Sequence, residues 1–121
     1  SIVRGTTMKR IVNLLRRSGA AEIHVRSSCP PVAYPCFYGV DFPSREELIY
    51  GRKYHEAAGD LKKTLVLIKE EIGADSLEYL SIDGLIKAVD IQEENLCLAC
   101  YNGKYWVQHE KTRKFLQNGR I

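Results

Sequence analysis

Apolar residues recur at helical spacing early in the chain, at Met8, Ile11, Val12, Leu14 and Leu15. This periodicity predicts a helix, with Thr6 or Thr7 as N-cap and Gly19 as the stop. Arg16 and Arg17 in its last turn suit the negative end of the helix dipole. The pattern then changes period. Ala21, Ile23 and Val25 alternate with Glu22, His24 and Arg26, which predicts a strand with one buried face. Residues 27–43 hold all four prolines together with Tyr34, Phe37, Tyr38 and Phe42, the composition of an ordered loop. Ser44-Arg45-Glu46-Glu47 has the form of a capping box, so a short helix is expected through Leu48 and Ile49. Gly51 and Gly59 are expected to interrupt the stretch that follows. Leu61, Leu65, Ile68 and Ile72 then lie on one helical stripe that Gly73 closes. Ser76–Leu80 reads as a short extended piece. Ser81 is expected to cap a further helix burying Leu85, Ala88 and Val89. A turn at Asn102-Gly103 and a strand through Tyr105, Trp106 and Val107 complete the pattern. Helices interspersed with strands place the chain in the α/β class, with more helix than strand.

Composition narrows this picture. At 121 residues, 45% of them hydrophobic, the chain can form one core without disulfides. The net charge of +3 lies wholly in residues 108–121, where Lys111, Arg113, Lys114 and Arg120 face only Glu110. This basic tail is expected to be poorly ordered, leaving residues 1–107 as the folded unit. Residues 1–107 carry balanced charge, which argues against a broad nucleic-acid-binding face. No apolar run approaches the roughly 18 residues of a membrane span. The chain opens polar and basic rather than as a secretory signal, so a cytoplasmic location is expected. It also opens at Ser1 with no preceding strand to pair with, which suggests a piece of a longer protein.

Two sets of residues carry candidate chemistry. Arg4-Gly5-Thr6-Thr7 stands directly before a helix, whose first amides and partial positive charge suit a phosphate. Gly5 permits close backbone approach, the threonine hydroxyls donate hydrogen bonds, and Arg4 adds charge. The same residues also suit a plain helix start. The second set is cysteine. Cys97 and Cys100 form a CxxC pair, while Cys36 and Cys29 could join them only through folding. Zinc, an iron–sulfur cluster, a dithiol redox pair and inert buried cysteine are all compatible with this set. His24, His55 and His109 have no ligand spacing. Tyr101, Tyr105 and Trp106 read as packing residues.

Taken in order, Ser1–Thr7, His24–Arg26, Pro30-Pro31, Tyr34–Gly39, Asp41, Glu46–Ile49, Ile72–Leu77, Tyr79–Ser81, Cys97–Cys100 and Asn102–Tyr105 resemble the glutamine phosphoribosyl pyrophosphate (PRPP) amidotransferases. The resemblance covers most of residues 1–105 and falls on the C-terminal part of their type I phosphoribosyltransferase domain. It implies that ammonia released from glutamine in a separate N-terminal domain displaces pyrophosphate from PRPP, giving phosphoribosylamine for purine synthesis. It also implies that Ser1, Arg4, Gly5, Thr6 and Thr7 cradle the 5′-phosphate of PRPP. The acidic residues that work with Mg2+ would precede Ser1, and so would the fourth ligand of a [4Fe–4S] cluster whose other ligands match Cys36, Cys97 and Cys100. That cluster is structural in the family. A homo-oligomeric parent enzyme is implied, and the chain by itself is expected to be inactive.

Three features depart from the family pattern. Cys29 stands where a non-cysteine residue is usual, either as a neutral replacement or as a surrogate fourth ligand. Tyr50–Leu67 is longer than the usual helix connection, and residues 106–121 match nothing in the family. The alternatives are a small metal-binding or dithiol redox module without phosphoribosyl chemistry, and a noncatalytic remnant with a scaffold role.

Overall fold

A computed structural model describes residues 1–42 and 44–106. The elements run α1 (Thr6–Arg17), β1 (His24–Ser27), α2 (Ile49–Glu56), α3 (Leu61–Ile72), β2 (Ser76–Tyr79), α4 (Ile82–Val89), a 3₁₀ turn (Glu93–Asn95) and α5 (Ala99–Asn102). The two strands pair in parallel, with His24 opposite Ser76 and Ser27 opposite Tyr79. Parallel neighbours need a crossover, and α2 and α3 supply it.

The alternation of β1 decides which face is covered. Val25, with Ile23 just before the strand, turns inward and packs with Leu77 of β2. Val12 of α1 and Ile68 and Ile72 of α3 cover this apolar face, and Ile2, Ile49 and Ala74 close its margins. Ile49, Ile68 and Ile72 are fully buried, and each contributes roughly 1.5–3 kcal/mol relative to exposure. The opposite face is polar. Ser76 Oγ lies 2.8 Å from both His24 Nδ1 and Arg26 Nη1, and Arg26 Nε lies 3.6 Å from Glu78.

One carboxylate joins the ends of this unit. Asp75 Oδ2 accepts the Ile23 N–H at 2.7 Å and the Arg16 guanidinium at 2.7 Å. The Asp75 N–H in turn donates to the Ile23 carbonyl at 2.9 Å. Arg16 also reaches the Ala21 carbonyl at 2.8 Å. The end of α1, the entry to β1 and the α3–β2 connection therefore meet at Asp75.

Several expectations hold. Gly73 ends α3 in the left-handed region at φ 78°; the cap at the other end, for which the sequence reading named no residue, is Asp60, which accepts the Lys63 N–H at 2.9 Å. Ser81 caps α4 through Gly84 N–H at 3.0 Å.

Others are corrected. The hydroxyl of Ser44 makes no capping box: its carbonyl accepts the Glu47 and Leu48 amides in a separate turn. Helix α2 begins only at Ile49, after extended Leu48, because both side chains are driven into the interior. Gly51 lies inside α2 instead of interrupting it, since a Cβ there would stand 2.8 Å from the Arg45 carbonyl oxygen. Helix α4 buries nothing fully: Leu85 is half-buried and Ala88 and Val89 are exposed, because none of the main element packings involves it. Cys97–Cys100 leads into the short helix α5, and Tyr105 and Trp106 form no strand. Val107 and the tail 108–121 lie outside the described residues.

The Asp75 clasp makes stability depend on pH. The Ile23 N–H, followed by Arg16, holds the carboxyl below its ordinary value of 3.8. A depressed folded-state pKa stabilises the fold above the ordinary value, and that stabilisation is lost as pH falls through the lowered one. Thermal melts across this acid range should show wild type losing the advantage it holds over Asp75→Asn at neutral pH. Parallel acid limbs for the two proteins would contradict the clasp.

Candidate functional site

The segment before α1 is anchored from beneath and open above. Ile2 is buried, and the Val3 carbonyl accepts the Ile49 N–H at 2.9 Å. Gly5 then turns the chain at φ 83° and serves as the N-cap, so Thr6 and Thr7 are the first helical residues and neither caps the helix. Two constraints select glycine. The positive φ is costly for other residues, and a Cβ would lie 2.5 Å from Ile49 Cδ1. No side chain caps α1 and no acidic residue stands in its first turn. Ser1, Thr6 and Thr7 are exposed. The Arg4 guanidinium pairs with Glu47 at 3.1 Å. The arrangement offers an anion helix amides, hydroxyl donors and a cation held by a surface ion pair that solvent already screens.

The cysteines meet through backbone bonds between distant segments. The Cys100 carbonyl accepts two amides from the proline loop, Ala33 at 2.9 Å and Tyr34 at 3.0 Å. The Tyr105 hydroxyl donates to the Pro35 carbonyl at 2.7 Å. Cys36 Sγ accepts the Tyr38 N–H at 3.4 Å. Gly103, which ends α5 at φ 73°, leaves room for the Tyr34 ring, and the Arg45 guanidinium sits 5.4 Å from the centre of that ring. Cys36 and Cys100 are half-buried and Cys97 is exposed.

Burial, followed by the nearby Cys36 and Cys97, pushes the Cys100 thiol up to about 11. Cys29, which is half-buried with its Sγ 3.4 Å from Ser27 Oγ, adds a smaller push. Cys36, Cys97 and Cys29 are thus within electrostatic reach of Cys100. Among the described residues, however, no three His, Cys, Asp or Glu side chains are arranged to hold a metal ion.

Sequence reasoning missed two contributors. It assigned Tyr105 to packing, whereas its hydroxyl ties the Cys36 loop to the chain leaving α5. It gave Glu47 only a capping role, whereas Glu47 holds Arg4. Neither pairing leaves a local signal, since the partners stand 70 and 43 residues apart. Among the described residues, no helix is long and apolar enough to cross a membrane.

Gly5→Ala should destabilise the fold by about 1–3 kcal/mol, from the left-handed backbone and the collision with buried Ile49. Denaturant unfolding measures this directly. A loss no larger than that of an ordinary surface substitution would show that the loop can relax.

No protein-family model matches the chain. It is 47% identical over 105 residues to the amidophosphoribosyltransferase of Methanocaldococcus jannaschii, covering 87% of this chain and 20% of that protein. It is 48% identical over 109 residues to the Bacillus subtilis amidophosphoribosyltransferase, covering 87% and 21%. Among solved structures it is similar to the glutamine PRPP amidotransferase from B. subtilis complexed with ADP and GMP, with a TM-score of 0.69 at 47% identity over 88% of this chain and 22% of that one. A structure of the allosteric regulatory enzyme of purine biosynthesis gives a TM-score of 0.72 at 45% identity, over 93% and 23%. The chain spans about a fifth of the curated relatives it matches. In sequence and in fold it is homologous to one segment of the amidophosphoribosyltransferases, an α/β portion of the phosphoribosyltransferase fold.

Proposed function

We propose that this chain is the phosphate-holding segment of a glutamine PRPP amidotransferase, which makes phosphoribosylamine by displacing pyrophosphate from PRPP with glutamine-derived ammonia. The observation that carries this reading is the joint match of sequence and fold over nearly nine-tenths of the chain. Ser1, Arg4, Gly5, Thr6 and Thr7 bind the 5′-phosphate and so orient the ribose. Fixing one end of the substrate turns the attack of ammonia into a step between held reactants. These are binding residues that do not touch the reacting carbon. When bound, Mg2+ balances charge on the pyrophosphate leaving group, and the reading takes its ligands from the rest of the enzyme.

The pairing of Arg4 with Glu47 gives this site a testable property. In the full-length enzyme, Arg4→Gln should weaken PRPP binding about tenfold or more, the scale of a charge-assisted hydrogen bond. Glu47→Gln, which frees Arg4, should leave PRPP binding equal or tighter. Titration with PRPP under nonreacting conditions reads both variants, and an unchanged affinity for Arg4→Gln sinks the assignment.

The same reading assigns Cys36, Cys97 and Cys100 to a structural [4Fe–4S] cluster. Soft thiolates are the right donors in kind, and Cys36 and Cys97 are within electrostatic reach of half-buried Cys100. The three are not arranged as a metal-holding group, so the reading requires them to be drawn together, with a further ligand, when the cluster forms. The cluster would brace the proline loop against α5. Protein prepared without oxygen should contain near-equal iron and sulfide, both lost in Cys36→Ser and in Cys97→Ser. Zinc without sulfide would favour the metal-binding module instead.

A further inference from the structure

The Cys36 loop, from Cys29 to Phe42, contains neither helix nor strand. Its cysteine therefore depends on anchors from elsewhere. The Cys100 carbonyl fixes Ala33 and Tyr34, but those bonds end two residues short of Cys36. Tyr105 grips the loop on both sides of the sulfur. Before Cys36, its hydroxyl donates to the Pro35 carbonyl at 2.7 Å. After Cys36, its ring packs against Phe37 at 5.1 Å between centroids and edge-on against Tyr38 at 6.0 Å. Tyr38 then returns its own N–H to Cys36 Sγ. Tyr105 leaves α5 two residues beyond Gly103, so its position is tied to the helix that carries Cys100.

We infer that Tyr105 is a positioning residue that fixes the Cys36 thiol against the Cys97–Cys100 pair. The inference rests on the proposed joint role of the three cysteines and adds the residue that makes that role geometrically possible.

The test uses the full chain, metal-free and reduced, with timed iodoacetamide alkylation mapped cysteine by cysteine. Tyr105→Phe removes only the hydroxyl and keeps both ring contacts. It should accelerate Cys36 alkylation about threefold to tenfold, the span of one ordinary hydrogen bond, with Cys97 unchanged. Tyr105→Leu removes the rings as well and should accelerate Cys36 further. An unchanged Cys36 rate in both variants overturns the inference. So does equal acceleration at all four cysteines, which would mean general loosening. Iron and sulfide measured on wild type separate this result from the cluster reading. Selective acceleration at Cys36 supports the positioning whether or not the full-length enzyme takes up a cluster, and a full-length enzyme free of iron and sulfide overturns the cluster reading alone.

Discussion

The parallel pairing of β1 with β2 is the constraint on which the rest of the chain depends. Parallel strands cannot be closed by a short turn, so everything between them must travel across one face and return. That requirement places α2 and α3 over the apolar side of Val25 and Leu77. Asp75 sets the register at the point where the second strand begins. Its carboxylate and its amide engage both backbone groups of Ile23. A one-residue slip would turn the apolar side chains to the polar face and would also leave that carboxylate without its backbone donor. The register is thus specified twice, by burial and by a charged hydrogen bond.

The local chemistry of the sequence accounts for many of the elements. Ser81 caps a helix and Gly73 closes one as their neighbours suggest, and the alternation around Ile23 and Val25 marks a half-covered strand. What was not legible is what depends on distant partners. Ser44 and Glu47 have the spacing of a capping box, but burial of Leu48 and Ile49 delays the helix and gives Glu47 to Arg4. Thr6 and Thr7 look like caps, but the left-handed turn at Gly5 pushes both into the helix. Helix α4 has an apolar stripe that no major packing covers. The candidate anion loop could be named from the sequence because its residues are contiguous. The cysteine site was visible only as a list of thiols, because the bonds that assemble it run from the Cys100 carbonyl and the Tyr105 hydroxyl.

The two candidate sites differ in how they are made. The proposed phosphate loop uses backbone geometry: a left-handed glycine, an uncapped helix start and a buried isoleucine beneath. Its donors stand ready in the absence of a ligand. The cysteine site uses side chains on a loop and on a very short helix, and its central thiol is held in the protonated form by burial and by its neighbours. A group that demands thiolates must displace that proton, so occupancy of the site is coupled to pH.

Residues 45–49 touch both. Arg45 covers the Tyr34 ring beside the cysteine loop, Glu47 holds Arg4, and Ile49 supports Gly5 and bonds Val3. Gly51 brings α2 so close that a methyl group there would meet the Arg45 carbonyl. This short turn therefore acts as a shared mount, clamped from behind by a helix. The two candidate sites thus share contacts with one short segment despite their unrelated chemistry. Sequence change in this turn is accordingly constrained from both directions, and a substitution tolerated by the anion loop must still satisfy the aromatic wall of the thiol loop.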